Sequence, residues 1–581
     1  MKKLHFVLIA ILLLNYSCSK NTKTKLVVYI VSDQLTPNLM IKYDSLFTGG
    51  FRWLKDNGID YRNTFHNHGK TNTGNGHFAL STGVHPGKGG IISNDWYDRD
   101  LKKAVNVVED TSSINFSGND IGRSYKNIQS TSLADWLKGT YPNSKVVSVS
   151  GKDRGSILMA GSDPDLALWY DKDGGYTSST FYLPALPLWV KDFNRKLNVR
   201  SYKDSTWSRL KDPDIYTKYA RPDDFAGEKI VSNKKGAKPT LPLAFGEMSQ
   251  SSLLSGFYEY PQGDRSLIDL AIETIDRFRL GEDSSPDILF LGLSATDGVG
   301  HHFGPNSVEQ LDNYLRSDKN LIRLINYIER KVGAGNTIYA LTGDHGVMDL
   351  PEYLLSKNIS SGRISGDQRR KIYAKIISQI DSKIGSRKVK QYGDAFYFDK
   401  DLTEDEKNIA VSRIKDLVMQ IDGVERALTS KEIIELPKSN VAIYSCGVGN
   451  SSNLNLARSR ALLDAKRQLA DQIDSEISSL MDDFMSTIGT DSNEQIRQET
   501  QVVTRNVIAN AKLSGYVQKE TETQNIGTKY QHYILMEYPI GDANTALMSQ
   551  LKQNEILSTQ EAADTALAEL EAEINKRKNN Q

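Results

Sequence analysis

Only two cysteines occur in 581 residues, Cys18 and Cys446. One pair cannot make a disulfide framework, and none is possible if Cys18 is consumed by modification. Nor can a thiolate metal site be built, so any metal must be held by oxygen and imidazole. Charge bias is also missing. The 72 Lys and Arg balance the 72 Asp and Glu, so bulk charge gives no reason to expect nucleic acid as a partner. There is no internal repeat. The one long apolar run, Phe6 to Leu14, is too short to span a bilayer comfortably. Histidine is scarce as well: there are nine, and after His345 only His532 remains.

What the N-terminus does contain is a targeting pattern. Lys2 and Lys3 precede the apolar run, and small and polar residues follow it. A cysteine at position 18, directly after Ser17, resembles the site where bacterial lipoproteins are cut and lipidated. Asn15 stands where that motif usually carries Leu. Residues 1–18 are thus expected to be a lipoprotein-type signal peptide, with export to the periplasm or outer membrane and a membrane anchor through lipid on Cys18. Simple secretion with a nearby cut is the alternative.

From Leu26 to about Leu350 strands, loops and helices alternate. "LVVYIVSD", "KVVSVSGKDRG", "DILFLGLSATD" and "NTIYALTGDHG" are continuous β-rich runs bounded by turn residues, the pattern of buried parallel strands. They end in Asp33, in Lys152 and Arg154, in Asp297, and in Asp344 and His345. Ligands of open α/β sheets bind outside the carboxyl ends of the strands, and all four ends here carry charged or metal-capable groups. From Tyr353 to about Leu436 two charged amphipathic helices flank the strand "DAFYFD", a small α+β insertion or lid. A third texture follows: a strand and turn, a helix with Ala457, Ala461, Ala465 and Leu469 on one face, and the strand "YQHYILMEYPIG". Residues 437–552 are expected to form a separate α+β module and residues 553–581 a polar helix and tail. The fold class is α/β, a mostly parallel sheet with flanking helices.

Asp33, Asp297, His301, Asp344 and His345 are candidate metal ligands. Asp297 and His301 are four apart and can meet on a helical turn, and Asp344 and His345 can converge on a loop. Carboxylate with imidazole suits zinc, with two ions possible. Two metals about 4 Å apart clamp the attacking and leaving oxygens of a phosphoryl transfer. The stretch "TNTGNGHFAL" (71–80) places two threonines and two glycines before a helix-like run. Ser and Thr at such a place are ordinarily caps. Beside a metal, a threonine hydroxyl becomes a nucleophile instead.

"VSDQL", "TNTGNGHFALSTGVHPGKGGIISNDWYD", "SGKDRGSILMAG", "ATDGVGHHFGP" and "TGDHG" occur in an order that resembles the alkaline phosphatase superfamily. The similarity is to the type I phosphodiesterase/nucleotide pyrophosphatase group, and within it to phosphate-irrepressible bacterial alkaline phosphatases with a threonine nucleophile. It covers about Leu26 to Leu350 and fades through the insertion, giving an alkaline-phosphatase-like catalytic domain over 19–436. The resemblance implies that Thr73, rather than Thr71, is the nucleophile, from its T-x-x-x-H spacing to His77. It implies Asp33, Thr73, Asp344 and His345 around one zinc, and Asp297 and His301 at the other. Asn94, Lys152 and Arg154 would contact phosphoryl oxygens. A charged pair of that kind favours the dianion of a monoester over a diester. Small phosphorylated metabolites are the expected substrates. His66, His68, His77, His85 and His302 have no ligand role in the pattern, although His302 could replace His301. "GKGG" (87–90) lacks P-loop spacing.

One element is missing. The family supplies a last zinc-ligand histidine near the end of the catalytic domain, and this chain has none there. His532 alternates with Tyr530, Ile534 and Met536 on a strand and reads as structural. In place of that segment, about Val441 to Lys552 resembles a family of small outer-membrane lipoproteins with a G-x-G strand end, an Ala-rich helix and a return strand, which implies no catalysis. The zinc at Asp297 and His301 is therefore expected to be weak. A zinc phosphomonoesterase is the leading expectation. A non-catalytic envelope lipoprotein keeping the fold, and a phosphodiesterase or nucleotide pyrophosphatase, are the alternatives.

Overall fold

The computed structural model describes residues 24–421 apart from 62–63, 67, 119–120, 386–387 and 394. Beyond these it describes 442–451, most of 454–473, 517–526, 529–539 and scattered other positions. The signal segment with Cys18, and most of the polar tail, lie outside the described residues. Among those described, no helix is long and apolar enough to cross a membrane.

Two compact units divide after Leu417, Met1–Leu417 and Val418–Gln581. The change of texture in the sequence puts that boundary at 436/437, and residues 428–441 lie outside the described ones.

The first unit is built on six strands: β1 (Leu26–Ser32), β2 (Val146–Ser150), β3 (Leu166–Asp171), β4 (Gly175–Thr177), β5 (Asp287–Leu293) and β6 (Thr337–Thr342). Their order in the sheet is β6-β1-β5-β2-β3-β4. All pairings are parallel except β3 with β4. The four apolar runs read from the sequence are β1, β2, β5 and β6, which lie side by side. β3 and β4 extend the sheet beyond them.

β2 and β5 are buried along their whole length. Leu26, Val28, Ile30, Val147, Val149, Leu289 and Leu291 join one core, whereas Val31, Val146, Ile288 and Phe290 join another. The period-2 alternation of strand side chains thus feeds two apolar layers, as a sheet covered on both faces requires. β6 departs from the expectation of a buried strand. It is half-buried, with Ile338 exposed. The reason is position: β6 pairs only with β1 among the described residues, so its outer flank is a sheet edge.

Five helices position the site: α1 (Thr73–Thr82), α2 (Asp153–Ala160), α3 (Pro261–Phe278), α4 (Ala295–Phe303) and α5 (Val308–Val332). Asp264 of α3 accepts the N–H of Ser294 at 2.8 Å and of Ala295 at 3.2 Å, which fixes the start of α4. The insertion forms helices Gly366–Ile384 and Glu404–Val418 around a strand pair, Val389–Tyr392 with Ala395–Phe398. The "AFYF" (395–398) of the expected strand is the second strand of that pair.

The second unit has a three-stranded antiparallel sheet ordered Ala442–Ser451, Lys529–Pro539, Val517–Ile526. The Ala457, Ala461, Ala465 and Leu469 face is fully buried. It lies directly on the strand: a Cβ at Gly447 would stand 2.0 Å from the Ala461 carbonyl oxygen, so only glycine admits that approach. The Ser445 hydroxyl donates to the Ala465 carbonyl at 2.7 Å. His532 is buried and bonded through Nδ1 to the Thr523 hydroxyl at 2.7 Å, within its own sheet.

Candidate functional site

Register brings the site together. Ser32 pairs with Leu293, Val31 with Thr342, and Gly292 with Ser150. Four parallel strands therefore end at nearly one level, and Asp33, Lys152, Asp297 and Asp344 follow those ends within a few residues.

Thr73 is the first residue of α1, and Asn72 is the cap: its side chain accepts the N–H of Asn75 at 3.3 Å. The Thr73 hydroxyl is left free of capping. It is buried, 3.4 Å from Asp33 Oδ2 and 3.4 Å from Lys152 Nζ. Thr71 is exposed.

Lys152 Nζ lies 2.6 Å from Asp33 Oδ2 and 2.6 Å from Asp297 Oδ2, a buried ammonium between two carboxylates. His345 Nε2 is 3.2 Å from Asp33 Oδ1, 4.0 Å from Asp297 Oδ1 and 3.9 Å from Asp344 Oδ2. Burial and Asp344 push the Asp33 carboxyl up, but Lys152 and His345 outweigh them and hold it below the usual carboxylate range. Burial opposes charge on His345, yet Asp33 and Asp344 raise it to about 9. Burial likewise opposes charge on Lys152, and Asp33 with Asp297 lifts it above its ordinary value.

Asp33, Asp297 and His345 present ligand atoms all within 4.8 Å of one another. Asp33 Oδ1 is buried and faces His345 Nε2 at 3.2 Å with no well-aligned hydrogen bond, so oxygen and imidazole are both open to a shared cation. The donor set of carboxylate and imidazole fits a divalent metal. The grouping differs from the one the resemblance implies, because Asp297 stands with Asp33 and His345. Asp344 accepts the Gln34 N–H on Oδ1 at 3.0 Å, and its Oδ2 meets His77 Nδ1 at 3.0 Å while lying 3.9 Å from His345 Nε2. His301 Nε2 is 3.1 Å from Asp297 Oδ1, and its side chain is 70 % exposed, at the mouth of the site. His302 does not replace it. His302 Nε2 meets Lys229 Nζ at 3.1 Å and Glu259 at 3.5 Å, and burial holds its imidazole down to about 4.

Asn94 accepts the Gly74 N–H on Oδ1 at 2.7 Å, which leaves its NH2 end as the donor. Arg154 follows Asp153 in the first turn of α2. "GKGG" has a packing reason: a Cβ at Gly89 would stand 1.9 Å from the Phe78 ring.

Two further residues, neither of them a candidate ligand or catalytic group, shape the site. Gln34 adopts φ +68°, a left-handed conformation unusual outside glycine. That turn aims its N–H at Asp344 and its Nε2 at Asp297 Oδ1, 2.7 Å away. His77 bonds the Thr73 carbonyl at 2.9 Å and contacts Asp344, tying α1 to the loop after β6.

Carboxylates and an imidazole thus stand beside a buried threonine hydroxyl on the carboxyl edge of a parallel sheet, an arrangement that could hold a divalent metal next to a nucleophile. The pattern of the type I phosphodiesterase / nucleotide pyrophosphatase family matches residues 27–439, and the chain belongs to that family. It is 36 % identical over 347 residues to alkaline phosphatase PhoV of Synechococcus elongatus, covering 59 % of this chain and 62 % of that one. To alkaline phosphatase PafA of Elizabethkingia meningoseptica it is 33 % identical over 403 residues, 68 % of this chain and 73 % of the other. The crystal structure of PafA superposes with a TM-score of 0.65 at 30 % identity, covering 72 % of this chain and 81 % of that one. The first unit thus has the alkaline-phosphatase-like α/β fold. The chain spans just under two thirds of the PhoV length.

A Cβ at Gly76 would stand 2.0 Å from the Asp344 carbonyl oxygen. Gly76→Ala is therefore expected to push α1 off the β6 loop and to cost about 1–3 kcal/mol in denaturant unfolding. An unchanged midpoint would contradict this packing.

Proposed function

We propose that the chain is a zinc-dependent phosphate monoester hydrolase acting through a phosphothreonine at Thr73. The observation that carries this reading is the buried Thr73 hydroxyl, freed from capping by Asn72 and set between the Asp33 carboxylate and the Lys152 ammonium. Relatives named alkaline phosphatase, PhoV and PafA and also PhoK of Sphingomonas, support it. So does a second crystal structure of PafA, substituted at one Thr, one Asn, one Lys and one Arg, the same residue types as the candidates here.

Asp33, Thr73, Asp344 and His345 would hold one zinc and Asp297 with His301 the other, with Asp297 also in reach of His345. Bound zinc would supply Lewis-acid stabilisation of the phosphoryl oxygens. The chain's own residues do the rest. Asp33 Oδ2 accepts the Thr73 hydroxyl and orients it. Lys152 Nζ, next to Thr73 Oγ1, favours the deprotonated oxygen that attacks phosphorus in line as the P–O bond to the ester alcohol breaks and the departing alkoxide takes a proton from water. Asn94 donates to a phosphoryl oxygen, and Lys152 and Arg154 neutralise the extra charge of a monoester. Water then hydrolyses the phosphothreonine. Small phosphorylated metabolites, met outside the cytoplasm by a protein anchored through lipid on Cys18, are the proposed substrates. One observation favours a second reading, an envelope protein that keeps the fold without turnover. Among the described residues, Asp297 and the exposed His301 are the pair offered to the second ion, where a catalytic zinc ordinarily has three protein ligands.

Thr73→Ala is expected to abolish p-nitrophenyl phosphate turnover, and acid trapping is expected to find phosphate on Thr73. Phosphate elsewhere, or full activity in the variant, would end the nucleophile assignment.

Lys152→Ala and Arg154→Ala should lower monoester turnover far more than diester turnover. A charge-assisted contact is worth about 1.5–3 kcal/mol, roughly ten- to a hundredfold in rate. Equal losses on both substrate classes would mean that neither residue senses the dianion.

Metal analysis after dialysis is expected to retain one zinc per chain and lose the second, with a burst followed by slow turnover that added zinc accelerates. Two tightly held zincs with fast turnover would exclude the weak second site.

A further inference from the structure

A carboxylate stands between Lys152 and Arg154. Asp153 is adjacent to both, and a carboxylate that captured the Arg154 guanidinium would neutralise it and hold it off a phosphoryl oxygen.

The structure shows how Asp153 is occupied. Arg123, the last residue of the short strand Ile121–Arg123, donates from Nε to Asp153 Oδ2 at 2.9 Å. Oδ1 accepts the backbone N–H of Arg154 at 2.7 Å. The Arg154 guanidinium makes a loose ion pair with Oδ1 at 3.6 Å but no hydrogen bond to it. Both carboxylate oxygens are thus engaged by groups other than the guanidinium. Arg154 Nε is buried and makes no hydrogen bond, so the guanidinium is not tied down from that side either.

Arg123 is itself fixed. Its NH1 donates to the Ile121 carbonyl at 3.2 Å and the Gly122 carbonyl at 3.4 Å. Its own carbonyl accepts the Ser179 hydroxyl at 2.5 Å, and its backbone pairs with Glu109. A guanidinium held at several points presents a rigid donor to Asp153, which a surface pair of two mobile chains does not.

We propose that Arg123 is a positioning residue for phosphoryl recognition. By holding Asp153 Oδ2 it keeps that carboxylate from capturing Arg154, whose guanidinium stays available to the terminal oxygens of a monoester. The proposal rests on the reading of Arg154 as a phosphoryl contact.

The test compares Arg123→Ala, Arg123→Lys, Asp153→Asn, the Arg123→Ala/Asp153→Asn double variant and Arg154→Ala in the full-length zinc-loaded protein. Monoester and diester kcat/KM and inhibition by inorganic phosphate are read for each. Arg123→Ala should lower monoester kcat/KM and weaken phosphate inhibition about tenfold, with diester kcat/KM changed less than about twofold. Arg123→Lys keeps the charge without the fork and should fall in between. Asp153→Asn removes the competing charge, so the double variant should recover the monoester preference. If Arg123→Ala fails to fold, Arg123→Gln carries the same expectation. A loss that persists undiminished in the double variant would overturn the proposal. So would an unchanged Arg123→Ala beside an Arg154→Ala that loses monoester preference, and that result leaves the Arg154 reading standing. An Arg154→Ala that keeps the monoester preference overturns both.

Discussion

Parallel pairing of β6, β1, β5 and β2 in nearly equal register is the constraint on which the rest depends. It sets four strand ends at one level, and residues a few positions beyond those ends, Asp33, Lys152, Asp297 and Asp344, enter one small volume. Three of those residues are carboxylates, Asp33, Asp297 and Asp344. Like charges at such range oppose one another, and burial raises the cost. Lys152, 2.6 Å from two of the three, and His345, closest to Asp33, offset it. The charge pattern is therefore a consequence of strand register, and the site cannot be separated from the sheet that carries it.

The nucleophile candidate depends on a second approach, that of α1 to the loop after β6. Gly76 lets the helix backbone meet the Asp344 carbonyl, and His77 bonds the Thr73 carbonyl and contacts the Asp344 carboxylate. Asn72 takes the capping duty. Together they release the Thr73 hydroxyl from local backbone bonding, where Ser and Thr at helix starts are ordinarily spent. Gln34 bears the local strain, a left-handed backbone that directs two donors at two different carboxylates. Strain of this kind persists where the surrounding structure over-determines it.

The second unit answers to different physics. Its sheet and helix meet through Gly447 and a ladder of alanines, where backbone-to-backbone proximity leaves no room for a side chain. His532 is occupied by Thr523 in that sheet, as its alternation with Ile534 and Met536 on the strand indicates. Among the described residues, the carboxylate and imidazole cluster that could hold a metal lies in the first unit.

The four apolar runs and the charged residues at their ends were legible in the sequence because continuous β-branched runs and strand-end ligands are local patterns. The Ala457 to Leu469 face was legible for the same reason, since helical period and burial go together. The edge position of β6 was not legible: its composition is that of a buried strand, and only the sheet order exposes it. Nor could spacing reveal that Asp297 groups with Asp33 and His345 while Asp344 turns to Gln34 and His77. Most of those contacts join positions more than two hundred residues apart, and side-chain direction there is set by strand register and helix approach. The sequence by itself determined which residue types reach the carboxyl edge of the sheet. The tertiary structure alone decided which of them face one another, because that choice belongs to distances between elements that no local pattern encodes.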